Sequence, residues 1–313
     1  MPIKIPDTLP ARSVLESERI FVMGQGRAEA QDIRPLKILI LNLMPLKITT
    51  ETQLLRCLSN TPLQIEIDLL QTSTYHSKHT PEDHLLTFYL TFDQICDKLY
   101  DGMIITGAPV ELMEFEQVDY WEELCTIMEW SKAHVFSTFH ICWGAQAALY
   151  YHYGIEKAPL ASKMFGVFRH TVLDPTEAIF RGFDDFFFAP HSRHTEVRIS
   201  DVVNEPRLKL LSVSPQAGFY MACSRDYRQF FVMGHSEYDR ETLAYEYFRD
   251  VKNGTPIALP TSYFSMDDPD NPPVVTWRSH GQLLYTNWLN YYVYQATPYD
   301  LASMEGKGRH QTK

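Results

Sequence analysis

"HVFSTFHICWGAQAALYYHYG", residues 134–154, joins two periodicities across a single cysteine. Residues 134–141 form an apolar run suited to a strand, and residues 144–154 read as a helix. A side chain at the sharp turn between them, Cys142, projects from the edge of a sheet beside a helix N-terminus. The positive end of the helix dipole favours a thiolate at that point. Gly144 is expected to let the backbone turn tightly and a substrate approach, with nearby amides able to hold an oxyanion. A buried structural thiol is the competing reading.

The flanking sequence repeats the alternation. "LKILILNL" (36–43) suits a strand covered on both faces, and "TTETQLLRCLSN" (49–60) a helix capped by Thr49 or Thr50. "LQIEIDLL" (63–70) reads as strand, "FDQICDKLY" (92–100) as helix, "GMIITGAP" (102–109) as strand and "YWEELCTIMEWSKA" (120–133) as helix. This order implies an α/β fold with a doubly wound, mostly parallel sheet flanked by helices, whose ligands collect at the carboxyl edges of the strands. After Gly154 come short strands and turns, "MFGVFRHTV", "RLKLLSVS", "GFYMACS" and "RQFFVMG", which predict extra β-hairpins in the C-terminal half. A helix follows over 240–254, ending at Gly254, and a last one around 281–295. The expected organisation is an N-terminal arm (1–34), one α/β domain (35–300) and a polar tail (301–313).

Composition narrows the function. A net charge of −11 over 313 residues, without basic blocks, argues against a nucleic-acid partner. Five cysteines with no C-x-x-C pair exclude a disulfide framework and the usual zinc spacings. No apolar run approaches the roughly 20 residues of a membrane span, and the N-terminus lacks a signal-peptide core. The expectation is a cytoplasmic protein without bound metal or cofactor.

"FFVMGHSEYDRETL" supplies a partner for the thiol. If this segment is extended, His235 and Glu237 face the same way, and a carboxylate beside an imidazole fixes its tautomer and stabilises its protonated form. An isolated H-x-E is more often a surface pair. Two such features, each after an apolar strand, point to a cysteine nucleophile with a histidine base.

C-x-G-x-Q followed downstream by H-x-E resembles the class I glutamine amidotransferases, a flavodoxin-like fold. Over nearly its full length the chain is more similar to the homoserine O-acyltransferases of the MetA type. "LNLMPLKITTETQLLR", "GMIITGAPVE", "FAPHSRHTEV" and "WRSHGQLLYTNWLNYYVYQ" carry the likeness with the stretches above. The resemblance implies acyl transfer from a coenzyme A thioester to L-homoserine, with Cys142 as nucleophile, His235 as base and Glu237 as supporting acid. It places homoserine contacts on Lys163, Ser192 and Arg249, and an acyl-donor contact on Lys47. It also implies a homodimer. Acyl choice in this family is associated with the position of Glu111, where succinyl-type members resemble a pattern with glycine. A carboxylate there fills the room for a succinyl carboxylate and repels it, so acetyl-CoA is the expected co-substrate. Transfer from succinyl-CoA, glutamine amidotransfer and a noncatalytic scaffold are the alternatives. "HSKHTPEDH" (His76, His79, His84) is read as a polar loop and not a metal cluster, "GQG" (24–26) as a turn, and His191 and His194 as local hydrogen-bond partners.

Overall fold

The computed structural model describes residues 3–6, 8–18, 34–74, 80–298 and 301. Residues 24–26 and the histidines at 76 and 79 lie outside the described residues.

The segment expected as an irregular arm contributes β1 (Ile3–Lys4) and α1 (Pro10–Ser17). Ala11 and Leu15 of α1 join the cluster that holds Leu54, Leu55 and Leu58, which is how a mostly polar lead-in becomes ordered. The alternating half follows with β2 (Leu36–Leu41), α2 (Lys47–Leu58), β3 (Ile65–Leu70), α3 (Glu82–Phe88), β4 (Tyr89–Leu90) and β5 (Tyr100–Ile105). Next come α4 (Trp121–His134), β6 (Val135–Ile141) and α5 (Trp143–Tyr153). The second half holds β7 (Ala158–Val172), β8 (Phe186–Glu196), α6 (Ile199–Asn204), β9 (Leu208–Ser214), β10 (Gly218–Ser224) and β11 (Gln229–Val232). It closes with α7 (Thr242–Lys252), α8 (Arg278–Asn287) and a π-helical turn, Trp288–Tyr294.

Eleven strands make one sheet in the order β1-β3-β2-β5-β6-β11-β10-β9-β7-β8, with β4 on β3. Pairing is parallel from β1 to β11 and antiparallel from β11 to β8. The expected hairpins are therefore an antiparallel extension of the same sheet. Strand order reverses between β2 and β5, so their carboxyl ends open a crevice. β5 is buried along its whole length because helices and the π turn cover both faces.

Four local expectations need correction. Residues 92–100 are not a helix: Phe92–Gln94 form one 3-10 turn, capped reciprocally by Thr91 and Gln94, and the chain enters β5 at Tyr100. Phe92, Ile95 and Leu99 mimic a helical stripe, but the crossover helix is α3, which starts within the stretch read as a polar loop and runs past its end. Helix α2 starts at Lys47, with Leu46 at its cap and no side-chain cap, so neither Thr49 nor Thr50 caps it. β8 was not anticipated, since its aromatic run is followed by polar residues whose burial only the neighbouring β7 explains. His235 and Glu237 lie in a turn beyond β11 and not in extended chain. Gly254, at φ 68°, does follow α7 as expected, taking the left-handed backbone that closes the helix.

Candidate active site

β6 ends at Ile141 and α5 begins at Trp143, leaving Cys142 alone at the corner. Its backbone sits at φ 49°, ψ −114°. Such a conformation costs a residue with a Cβ on the order of 1–3 kcal/mol and persists only when its surroundings impose it. Here the Cys142 amide donates to Val232 O of β11 (2.7 Å), and its carbonyl accepts from Ala145 and Gln146 (3.0 and 3.1 Å). The strain belongs to Cys142 itself. Gly144 does not make the turn: its φ is not positive, and a Cβ there would stand 2.5 Å from Thr106 O and 3.0 Å from Ile105 O. Its role is to seat the start of α5 directly on the end of β5.

The thiol is buried, and His235 reaches it from the loop after β11. An added Cβ at Gly107, beyond β5, would lie 3.3 Å from Cys142 Cβ and 3.6 Å from His235 Cε1. Three strand ends therefore converge on one small volume. His235 Nδ1 donates to Glu237 Oε1 at 2.7 Å, which leaves Nε2 for the bond the ring makes with Cys142. Burial opposes a charged imidazole, but the Cys142 sulfur and the Glu237 carboxylate outweigh it and push His235 up to about 10. Tyr285 holds the second Glu237 oxygen from α8 at 3.5 Å, and Tyr220 bonds Ser236 at 2.9 Å.

The side chains expected to meet homoserine gather on a carboxylate that sequence reasoning passed over. Glu246, on α7, accepts Ser192 Oγ at both oxygens (2.9 and 2.8 Å) and pairs with Lys163 Nζ at 2.5 Å. β7 and β8 bring the two donors together, with Phe165 opposite Ser192 and Met164 opposite Arg193. Arg249 stays at the rim, 61% exposed, bonded to Asp250 and 3.9 Å from Glu246. The signal for Glu246 was its place three residues before Arg249, one helical face.

Glu111 faces this cluster. It accepts the His194 amide at 2.8 Å, and burial raises its pKa against the opposing influence of that bond and of His194, His235 and Lys163. Arg193 was also missed. Its guanidinium is fully buried and donates to Thr195 O and Ala217 O (2.7 and 2.6 Å). Burial lowers its pKa, against the opposing influence of Cys142, Glu196 and Glu111. His191 pairs with His170 at 3.0 Å, the local role expected of it.

Lys47 is not drawn into this group. Buried at the start of α2, its Nζ bonds Asn42 O, and burial lowers it to about 8 against the attraction of Glu51. Glu51 in turn binds His84 (3.0 Å) and Tyr89 (2.6 Å), so His84 serves a buried network. Among the described residues no cluster of His, Cys, Asp or Glu is placed to hold a metal, and no helix is long and apolar enough to cross a membrane.

Met44, Gly107 and Tyr238 close over the imidazole and leave a pocket of about 10 Å³. That is about the space of one water. A larger cavity, about 620 Å³, lies at the opposite edge of β6 and β11 among Lys132, His152, Arg207 and Arg228. It touches none of the residues above, so the chemistry belongs to the small pocket despite its size.

Residues 2–299 match the family model described as homoserine O-succinyltransferase. The chain is 61% identical to the homoserine O-acetyltransferase of Acetivibrio thermocellus, over 97% of this chain and 100% of that one. It is 58% identical to the enzyme of the same name from Bacteroides thetaiotaomicron, with the same coverage. Among solved structures, a glutamine amidotransferase from Thermotoga maritima aligns with a TM-score of 0.54 at 12% identity, over 82% of this chain and 98% of that one. That likeness establishes the fold, as expected, and not the reaction.

Proposed function

The chain belongs to the homoserine O-succinyltransferase family, and on that premise we propose that it transfers an acetyl group from acetyl-CoA to the hydroxyl of L-homoserine through a thioester on Cys142. The observation that carries this reading is the convergence of a strained cysteine, His235 and Glu237 at the ends of β6 and β11. Residues 35–300 would act as one catalytic domain, in a homodimer.

The geometry supports a two-step reaction. In the resting site His235 holds its proton between a thiolate and a carboxylate. The Cys142 sulfur attacks the thioester carbonyl, and the oxyanion forms beside the Trp143 and Gly144 amides that open α5, since the next two already bond Cys142 O. The CoA sulfur leaves with the His235 proton. Acylation removes the charge on Cys142, one of the two that kept the imidazole protonated, so His235 becomes a base in time for the second step. It takes the homoserine hydroxyl proton as that oxygen attacks the acyl carbon, and the restored thiolate re-forms its pair with the imidazolium. The closed pocket around His235 limits water, which would otherwise hydrolyse the thioester.

Lys163, Ser192 and Glu246 would receive the amino-acid end of homoserine, with Arg249 at the rim for its carboxylate. Glu111, beside Lys163 and His235, would exclude a second carboxylate and so select acetyl over succinyl. Initial-rate kinetics with both CoA thioesters test the proposal. Acetyl-CoA is expected to give O-acetylhomoserine with parallel double-reciprocal lines. Succinyl-CoA as the better donor, or glutamine hydrolysis without acyl transfer, would refute it.

A further inference from the structure

Tyr238 follows the triad acid by one residue and has no part in the mechanism above. Its ring lies flat against the His235 imidazole, centroids 4.2 Å apart and planes 11° from parallel. The backbone is fixed at both ends: Tyr238 N donates to His235 O (3.2 Å), and Tyr238 O accepts Trp277 Nε1 (2.9 Å). The ring also walls the small pocket with Gly107 and Glu237.

The hydroxyl is the unexplained part. Tyr238 is half-buried, and among the described residues none makes a hydrogen bond to its hydroxyl, whereas the more deeply buried Tyr285, Tyr220 and Tyr89 are each bonded within the protein. Its electrostatic neighbours are Glu246, of the cluster that gathers Lys163 and Ser192, then Glu237, Cys142 and Glu111. Burial first, and then these acidic groups, hold its pKa well above the ordinary tyrosine value, so it keeps its proton. A protonated phenol without a protein acceptor, on a ring stacked against the catalytic imidazole and walling its pocket, is a donor left for a ligand.

We propose that Tyr238 is an acceptor-binding residue: its hydroxyl donates a hydrogen bond to an oxygen of the incoming amino acid in the second half-reaction, and its ring keeps the imidazole plane aligned for proton transfer. This rests on the acyl-enzyme reading, and the two parts of the side chain separate by mutation. Tyr238→Phe keeps the ring and loses only the donor. Losing one such bond is expected to lower kcat/KM for homoserine about tenfold, mainly through KM. The burst of CoA released from acetyl-CoA alone should change by less than about threefold. Tyr238→Leu also loses the stack and should slow the burst as well.

Stopped-flow thiol detection and steady-state titration of homoserine supply both readouts. An unchanged homoserine KM in Tyr238→Phe overturns the proposal, as does a burst reduced in proportion to kcat/KM. If Tyr238→Phe misfolds, Tyr238→Leu decides by whether KM for homoserine rises beyond the loss in burst rate. A wild-type enzyme with no burst overturns the acyl-enzyme reading itself, whereas a normal wild-type burst with an indifferent Tyr238→Phe removes only the assignment of Tyr238.

Discussion

Replacing Gly144 by alanine probes how tightly the elbow is held. The new methyl would stand 2.5 Å from Thr106 O and 3.0 Å from Ile105 O, both backbone atoms of a buried strand end that cannot swing aside. Reaching ordinary contact at 3.4 Å requires α5 to retreat by about 0.9 Å. Overpacking of this kind costs about 1–3 kcal/mol, which for a chain this long lowers Tm by roughly 2–5 °C. The catalytic cost is larger in proportion, because α5 carries the amides beside Cys142 and the retreat pulls the sulfur off His235. A displacement near 1 Å is worth about a hundredfold in rate. Differential scanning calorimetry and the burst of CoA release measure the two effects separately. A Gly144→Ala variant with wild-type burst rate and Tm would refute the packing argument, and a lowered Tm with an unchanged burst would refute the link from packing to chemistry.

Glu237→Gln keeps the shape of the acid but removes the charge that stabilises the imidazolium, so kcat should fall by about 10²–10⁴; a variant within threefold of wild type would exclude Glu237 from the triad. His235 has a folded pKa of about 10, above its unfolded value near 6.5, so its stabilising contribution is complete below about pH 6.5 and is lost as pH rises towards 10. Wild-type Tm should therefore decline more steeply between pH 7 and 10 than that of His235→Asn, and parallel curves would contradict the paired imidazolium. Two carboxylates about 4 Å apart repel by roughly 4 kcal/mol at an effective dielectric near 20, at most about a thousandfold. Glu111→Gly should accordingly shift the acetyl-to-succinyl ratio of kcat/KM towards succinyl by at least about tenfold, and an unmoved ratio would remove Glu111 as the selector. Glu246→Gln should raise KM for homoserine about tenfold or more while sparing the acetyl-CoA burst, since the carboxylate that gathers Lys163 and Ser192 lies on the acceptor side.

The parallel half of the sheet was readable because its strands are mostly buried and announce themselves as largely apolar runs, as in 36–43 and 134–141. Cys142 was legible for a related reason: a strand pattern and a helix pattern nearly abut there, and the structure narrows the gap to Cys142 alone. The pairing of His235 with Glu237 was anticipated, though by the wrong geometry, since a turn brings the side chains together where alternation along a strand was assumed. Tertiary contacts account for what was hidden. β8 alternates in burial only because β7 lies beside it, and Glu246 gains its meaning from Lys163 and Ser192 on those two strands. Arg193 is another case, since no local pattern separates a buried guanidinium from an exposed one. The false helix at 92–100 shows the limit of periodicity: three apolar residues fit a helical face, and the strand that starts at Tyr100 leaves too little chain for it.

The central claim is that the Cys142 sulfur carries the acyl group between the two substrates. Rapid quenching of the enzyme with radiolabelled acetyl-CoA, followed by peptide mapping, measures this directly. The account predicts close to one acetyl group per chain on the peptide containing Cys142, discharged when homoserine is added and absent in Cys142→Ala. Label found elsewhere, or a Cys142→Ala enzyme that still turns over, would contradict it.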